Sequence, residues 1–159
     1  MNSRDTDIAR LRQAARSENR HERAEAAIEL GSRGVEDSLE LLRGMVDDQD
    51  DLVAVSAVYA RWQLGDQTHP LERVVASLAS DDEENVQLAV QVLCEMGKSV
   101  VPKLVHMLNA DSPYASYALR MLGDIGGPES LASVRRFATS KNRERAEIAR
   151  ELLDDWDDD

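Results

Sequence analysis

A recurring glycine is the feature of this sequence that most constrains its fold. Successive copies are separated by 31, 32 and 29 residues, at Gly34, Gly65, Gly97 and Gly126. An alanine stands eight residues before each copy, and a fifth alanine continues the series: Ala26, Ala57, Ala89, Ala118 and Ala149. Self-similarity at this period is typical of arrays of small structural repeats.

The residues before each glycine have the spacing of a helix face. In the fourth repeat, Ala118, Leu122 and Ile125 stand eight, four and one residues before the glycine, which places them on one side of an α-helix. The alanine predicts a close helix contact, and the glycine predicts a carboxy-terminal cap. Arg61 takes the position that leucine holds in the other repeats.

A second apolar stripe follows each glycine. Its members are Leu39, Leu42, Met45 and Val46, then Leu71, Val74, Val75 and Leu78, then Val101, Leu104, Val105 and Leu108, then Leu131, Val134 and Phe137. Each repeat is therefore predicted to be two antiparallel helices. The chain is expected to be one domain, 1–159, of five repeats at about 4–34, 35–65, 66–97, 98–126 and 127–157.

Proline and acidic residues mark the predicted helix starts. The first turn of the leading helix contains Pro70, Pro102 or Pro128, where a missing N–H costs little. Acidic clusters at 47–51 and 81–84 precede the second helix. Their carboxylates are expected to cap N–H groups and to face the positive end of the helix dipole.

Residues 23–34, 53–65 and 118–126 resemble the second helix of HEAT repeats, and the short period is closest to the bilin-lyase-like branch of that family. The resemblance implies an all-α fold, a right-handed α-solenoid of about five helical hairpins, about ten helices, with no strands. HEAT-like proteins include scaffolds, lyase subunits and DNA glycosylases, so activity is not implied. In HEAT repeats, a basic residue commonly follows the valine that opens the second helix. Here that position holds Ala54 in the second repeat and Gln87 in the third. We therefore expect no regular ladder of basic residues against the turn aspartates.

Charge and composition exclude several classes of function. The chain has 19 Lys+Arg against 31 Asp+Glu, a net charge of −12, which argues against nucleic acid as a partner. No stretch approaches the roughly 18 consecutive apolar residues of a membrane span, and the amino terminus lacks the apolar segment of a signal peptide. Cys94 is the single cysteine, so no intrachain disulfide forms. A cytoplasmic protein without a membrane partner is expected.

The sequence contains no recognisable catalytic or metal-binding group. His21, His69 and His106 lie in different repeats, and none has a His or Cys partner one helical turn away. We expect solvated histidines at helix starts, a packed or half-exposed Cys94, and carboxylates that cap helices or contact water. No catalytic residue, cofactor or metal is predicted.

The second helices of a HEAT-like solenoid line its concave side, so their residues opposite the alanine stripe are candidates for binding. These positions lie ten, six and three residues before each glycine, and in the first repeat they include Ala24 and Gly31. The predicted centre of a protein-binding face is Val55, Tyr59, Trp62, Gln91, Tyr117 and Arg120. Tyrosine, tryptophan and arginine are enriched at binding hot spots. In the alternative interpretation, Tyr59 and Trp62 pack against a neighbouring repeat.

The function predicted from these patterns is a non-catalytic scaffold or adaptor that binds a protein of unknown identity. One alternative is an acidic inhibitor or immunity-type protein that neutralises a basic partner. A second alternative, implied by the resemblance alone, is a bilin-lyase-like or chaperone-like subunit. The oligomeric state stays open: a monomer is the simpler expectation, with Trp156 and the acidic tail capping the last repeat, and a dimer is the alternative.

Overall fold

The computed structural model describes residues 3–157. Within that range the chain is all-α and no residue forms a strand. The α-helices are α1 (Ser3–Ala14), α2 (Arg20–Ser32), α3 (Leu39–Met45), α4 (Asp51–Gln63), α5 (Leu71–Ser77), α6 (Glu83–Met96), α7 (Val101–Asn109), α8 (Ala115–Ile125), α9 (Gly127–Phe137) and α10 (Arg143–Asp157). Short 3-10 helices precede α3, at Glu36–Ser38, and α7, at Gly97–Val100.

The helices group into two compact units, with the boundary between Val92 and Leu93. In the amino-terminal unit, α2 and α4 form the most extensive contact, α1 packs on α2, and α3 and α5 both pack on α4. In the carboxy-terminal unit, α7 and α9 pack on α8, and α10 packs on α8 and α9. Helix α4 is thus the most enclosed element of the first unit, and α8 contacts three helices of the second.

The repeated alanine and glycine positions behave as the sequence predicts. The five alanines are buried, with exposed fractions between 0% and 2%. The four repeated glycines, Gly34, Gly65, Gly97 and Gly126, have φ between 52° and 77°. That left-handed conformation is the one in which glycine closes a helix without steric cost.

The predicted helix starts are confirmed except at Pro70, which was expected in the first turn of its helix and lies just before it. The Asp50 carboxylate accepts a hydrogen bond from the Leu52 N–H at 3.0 Å at the start of α4. The Asp82 carboxylate accepts one from the Glu84 N–H at 3.0 Å at the start of α6. Proline lies in the first turn of α7 and of α9, and Pro70 immediately precedes α5.

Candidate protein-binding surface

Helix α4 is buried along almost its whole length. Every residue from Leu52 to Val58 is buried, because α2, α3 and α5 all pack on this helix. Val55 has no exposed surface. The prediction that Val55 faces a partner is therefore wrong: at Val55, the side of α4 opposite the alanine stripe is covered as well.

Tyr59 and Trp62 form a stacked pair on α4. Their ring centroids are 5.8 Å apart and the ring planes are inclined by 22°, a favourable aromatic arrangement. The residues are neighbours on the helix surface because they are three apart in sequence. Both are half-buried, so part of the pair reaches the surface. The structure thus places the pair between the two interpretations of the sequence, neither fully exposed nor enclosed in the core.

A close approach of two helix backbones lies beside this pair. A Cβ atom on Gly31 of α2 would lie 2.6 Å from the Cα of Ala60 and 2.6 Å from Oε1 of Gln63 in α4. Gly31 and Ala24 are buried, so the expectation that they belong to the exposed face is wrong. Glycine occupies this position because any side chain would separate α2 from α4.

A buried arginine fixes the segment that follows α4. The Arg61 side chain, at the position held by leucine in the other repeats, is only 8% exposed. Its Nε donates to Oδ2 of Asp66 at 3.0 Å, and its Nη2 donates to the Thr68 carbonyl at 3.3 Å and to the Thr68 hydroxyl at 3.2 Å. These bonds hold the segment after Gly65 against the end of α4.

The Asp66 carboxylate is stabilised in its charged form. It accepts hydrogen bonds from the Thr68 hydroxyl at 2.6 Å and the Thr68 N–H at 2.9 Å. These bonds, followed by the Arg61 guanidinium, hold the pKa of Asp66 well below its ordinary value of 3.8, although burial opposes the shift. The Asp66 side chain is 5% exposed, so it forms a buried ion pair with Arg61.

One arginine connects the starts of three helices in the amino-terminal unit. Arg20, the first residue of α2, pairs with Asp50 at 3.3 Å, with Asp82 at 3.0 Å and with Glu84 at 2.6 Å. The hydrogen bond from Arg20 lowers the pKa of Asp82, and the Glu84 N–H adds to this effect. Arg20 therefore neutralises carboxylates that cap α4 and α6.

Two further arginines bind the turn before α4. Arg23 forms two parallel bonds to the Asp48 carboxylate, at 2.9 Å and 3.0 Å. Arg73 of α5 pairs with Asp51 at 3.0 Å. Burial raises the pKa of Asp48, but the bonds from Arg23 and from the Asp50 N–H outweigh it, so the net shift is downward. Ala54 and Gln87 occupy the positions where a regular ladder of basic residues would stand, and the sequence predicts no such ladder. Arginines from α2 and α5 pair with the turn aspartates instead.

These arginines were not among the predicted functional residues, although the sequence contains signals for some of them. Arg61 interrupts an otherwise regular series of leucines, which marks it as a buried cation with a partner. Arg20 and Arg23 stand three apart at the start of a helix, a spacing that puts both on one side of its first turn. Nothing in the spacing identifies Asp82 as a partner of Arg20, because 62 residues separate them.

The remaining predicted binding residues are exposed. Gln91 is exposed on α6 of the amino-terminal unit. In the carboxy-terminal unit, Tyr117 is 36% exposed on α8, and Arg120 lies exposed one helical turn further on. Gly123, at the next predicted face position, is buried, and the expectation of exposure is wrong there too.

The histidines and the cysteine lie apart from one another in sequence and differ in environment. His21 is exposed, with Nε2 at 3.1 Å from the Glu84 carboxylate. His69 is buried and its Nδ1 lies 2.7 Å from the Asp66 carbonyl, so the expectation of a solvated histidine is wrong at this position. Cys94 is exposed. Among residues 3–157, no group of three or more His, Cys, Asp or Glu side chains is arranged to hold a metal ion.

Helix α10 presents the acidic end of the chain. Glu151, Asp154 and Asp155 are exposed, and Trp156 is half-buried. The last two aspartates of the predicted acidic tail, at 158 and 159, lie outside the described residues. None of the helices in the described part of the chain combines the length and apolarity needed to cross a membrane.

Comparisons with known proteins give a structural likeness and no match by sequence family. No protein-family model matches the chain, and no curated protein matches it. The chain is similar to a crystal structure of an engineered protein, with 21% identity and a TM-score of 0.48. The match covers 96% of this chain and 47% of the engineered one, so this chain spans about half of that length.

Proposed function

We propose that this protein is a HEAT-like solenoid scaffold that binds another protein through a face containing Tyr59 and Trp62. The observation that carries the proposal is the stacked, half-buried pair of aromatic rings on α4. Tryptophan and tyrosine supply large contact areas at low cost in side-chain entropy, and they are enriched at binding hot spots. Gln91, which is exposed on α6 of the same unit, is proposed to extend the contact.

The repeated residues support the solenoid part of the proposal. Alanine is buried at the same position of all five predicted repeats, and a positive-φ glycine follows four of them. Repeats of this size cannot bury a hydrophobic face alone, and stacking against neighbours provides the missing cover. The proposed arrangement is a right-handed stack of helical hairpins.

The surroundings of the aromatic pair support binding because they make it rigid. Helix α4 is fixed by close contact with α2 at Gly31 and Ala60. The Arg61–Asp66 pair fixes the segment that follows it. A surface that is ordered before binding loses little conformational entropy when a partner arrives, so more of the contact energy contributes to affinity.

The acidic surface supports a second candidate, an inhibitor that neutralises a basic protein. Glu151, Asp154 and Asp155 of α10 are exposed and form no ion pair with another described residue. In the amino-terminal unit, by contrast, arginines pair with several turn carboxylates. Binding through free carboxylates would weaken steeply with salt, whereas binding through aromatic rings would change little.

The direct test uses a partner captured from native lysate and then purified. We expect Trp62→Ala and Tyr59→Ala each to weaken its binding by about tenfold or more, the size typical of a hot spot. Phe137→Ala is the matched control, because Phe137 is also half-buried but lies on α9, outside the proposed face. Thermal unfolding of each variant shows whether the fold is retained.

Fluorescence supplies an independent measurement. Trp156→Phe leaves Trp62 as the single tryptophan, because the sequence contains only two. Binding should remove water from Trp62 and shift its emission to shorter wavelength. Normal affinity in folded Trp62→Ala and Tyr59→Ala variants would contradict the proposal, and loss of binding in about 0.5 M salt alone would favour the acidic inhibitor.

A further inference from the structure

A small cavity lies at the first turn of α9 in the carboxy-terminal unit. Its volume is about 280 Å³, and it is lined by the segment from Gly126 to Ser130 together with Lys98 and Val101. None of these residues belongs to the proposed protein-binding face. The cavity brings together a lysine and a helix start that are nearly thirty residues apart in sequence, at 98 and 127.

Ser130, which lines this cavity, has a buried hydroxyl group whose hydrogen-bonding capacity is unused. Ser130 is 0% exposed, and its Oγ has no hydrogen-bond partner within residues 3–157. Two other buried serines, Ser56 and Ser77, donate to the carbonyl four residues earlier, at 2.7 Å and 3.0 Å. The corresponding carbonyl for Ser130 belongs to Gly126, whose ψ of −167° turns it away from the helical direction. A buried hydroxyl without an acceptor is costly, so an acceptor atom supplied by a bound molecule would stabilise it.

The start of α9 offers further donors for the same ligand. The Asn19 and Asp50 side chains cap α2 and α4, whereas α9, like α5, α7 and α8, has no side-chain cap, and the residue before it is Gly126. The first N–H groups of a helix have no partner within it and carry the positive end of the dipole. The eleven-residue α9 therefore presents unsatisfied donors beside the Ser130 hydroxyl.

Lys98 adds a full positive charge. Its Cε lies 3.6 Å from the point that a Cβ atom on Gly127 would occupy, so the ammonium group is near the first turn of α9. Lys98 forms no ion pair with any other described residue. The cavity therefore combines a free cation, a helix amino terminus and an orphaned hydroxyl, three groups that recognise an oxyanion.

We propose that this cavity binds the carboxylate of an aliphatic acid. The carboxylate would accept hydrogen bonds from Ser130 and from the first turn of α9 and would pair with Lys98. Val101 and Pro128 provide apolar walls that a phosphate would not use. Glu129 also lines the cavity, and its negative charge opposes a dianion more than a monoanion. The carboxylate could belong to a free short-chain acid or to the last residue of a polypeptide.

Titrations followed by the amide NMR signals of the full chain test this proposal. The probes are isovalerate for a free acid, N-acetyl-leucine for a chain end, N-acetyl-leucinamide as the uncharged control, and inorganic phosphate. We expect saturable shifts at Gly127, Glu129 and Ser130 with one or both carboxylates and none with the amide. A response to N-acetyl-leucine but not to isovalerate identifies a chain end as the source.

Two variants test the named groups. Ser130→Ala and Lys98→Gln should each weaken carboxylate binding by about tenfold, because each removes a charge-assisted interaction. Lys141→Gln is the matched control, since Lys141 is an exposed lysine of the same unit outside the cavity, and we expect no change in affinity. The melting temperature of Ser130→Ala should not fall, because this hydroxyl makes no bond that the variant could lose.

Four results would overturn the proposal. They are the absence of saturable shifts with either carboxylate, equal shifts with the amide, phosphate binding as tightly as the carboxylates, and unchanged affinity in Ser130→Ala. The cavity is independent of the proposed protein-binding face, so none of these results bears on the scaffold function. Conversely, loss of the scaffold function in Trp62→Ala leaves this proposal intact.

Discussion

Gly31 and Gly123 stand at corresponding positions, three residues before Gly34 and Gly126, and they meet different kinds of neighbour. A Cβ atom on Gly31 would press against the Ala60 backbone of α4. A Cβ atom on Gly123 would meet the end of the Leu152 side chain of α10. The first contact joins two helix backbones, and the second joins a backbone to a flexible side chain.

The same position of the repeat can therefore pack against the backbone of another helix or against a flexible side chain. A backbone cannot move without displacing its whole helix, whereas a leucine can change rotamer within its surroundings. The α2–α4 contact should therefore be the less tolerant of the two. The same contact lies beside Tyr59 and Trp62, so the proposed binding pair is attached to the less tolerant of the two contacts.

The largest effect is expected from Gly31→Ala. The new Cβ would lie 2.6 Å from the Ala60 Cα, so α2 and α4 must separate. We expect the free energy of unfolding to fall by about 3 kcal/mol, the upper end for overpacking. Urea denaturation measures this change. Gly44→Ala is the control, because Gly44 lies in α3 with open space around it, and alanine there should stabilise the protein by about 0.5 kcal/mol.

Arg61→Leu tests the buried ion pair between Arg61 and Asp66. Leucine is the residue at the equivalent position of the fourth repeat, Leu122. Leucine cannot pair with Asp66, so a carboxylate with a 5% exposed side chain loses its nearer cation and keeps Arg43, whose Nε lies 3.7 Å from Oδ2. Thr68 still donates to Asp66, and we expect a loss of about 2 kcal/mol in urea denaturation. Adding Asp66→Asn should restore part of it. An unchanged midpoint in the single variant would show that the pair does not hold the segment after α4.

The next largest effect on the free energy of unfolding is expected when the pH is lowered. Its direction follows from the lowered pKa of Asp66. The folded-state pKa lies below the ordinary value of 3.8, so the stabilising contribution is complete above that value and is lost as pH falls below it. The free energy of unfolding should therefore decrease between about pH 4 and pH 2, and Asp66→Asn should make this decrease shallower. Equal slopes in the two proteins would contradict the assigned ionisation.

The smallest effect among these predictions is expected from Gly123→Ala. Leu152 can rotate away from the new methyl group, and alanine is the better helix former. The two terms oppose each other, so the net change should stay below about 1 kcal/mol by urea denaturation. A loss as large as that of Gly31→Ala would remove the distinction between the two contacts.

Sequence spacing predicts those parts of the fold that depend on residues close together in the chain. The buried alanines, the positive-φ glycines and the Asp50 cap depend on residues within a few positions, so spacing reveals them. The close approach at Gly31 depends on where α4 lies, and helix periodicity alone placed this glycine on the exposed face. The exposure predicted for Val55 is wrong for the same reason. The periodicity of one helix does not show how many neighbouring helices surround it.

The candidate sites show the same division. The aromatic pair on α4 was found from its spacing, because residues three apart share one side of a helix. The cavity at α9 was not found, because the sequence separates Lys98 from Ser130 and gives no sign that the Ser130 hydroxyl lacks a partner. The pairing of Arg20 with Asp82 and Glu84 also depends on tertiary contacts. Long-range polar partners are determined by packing rather than by periodicity.

Oxidative footprinting of the complex with the captured partner tests the central claim most directly. Trp62 and Trp156 are both half-buried, so both should be labelled in the free protein, and Trp156 serves as an internal reference. The scaffold proposal predicts that the partner protects Trp62 and Tyr59 and leaves the labelling of Trp156 unchanged. Undiminished labelling of Trp62 in the saturated complex would contradict it.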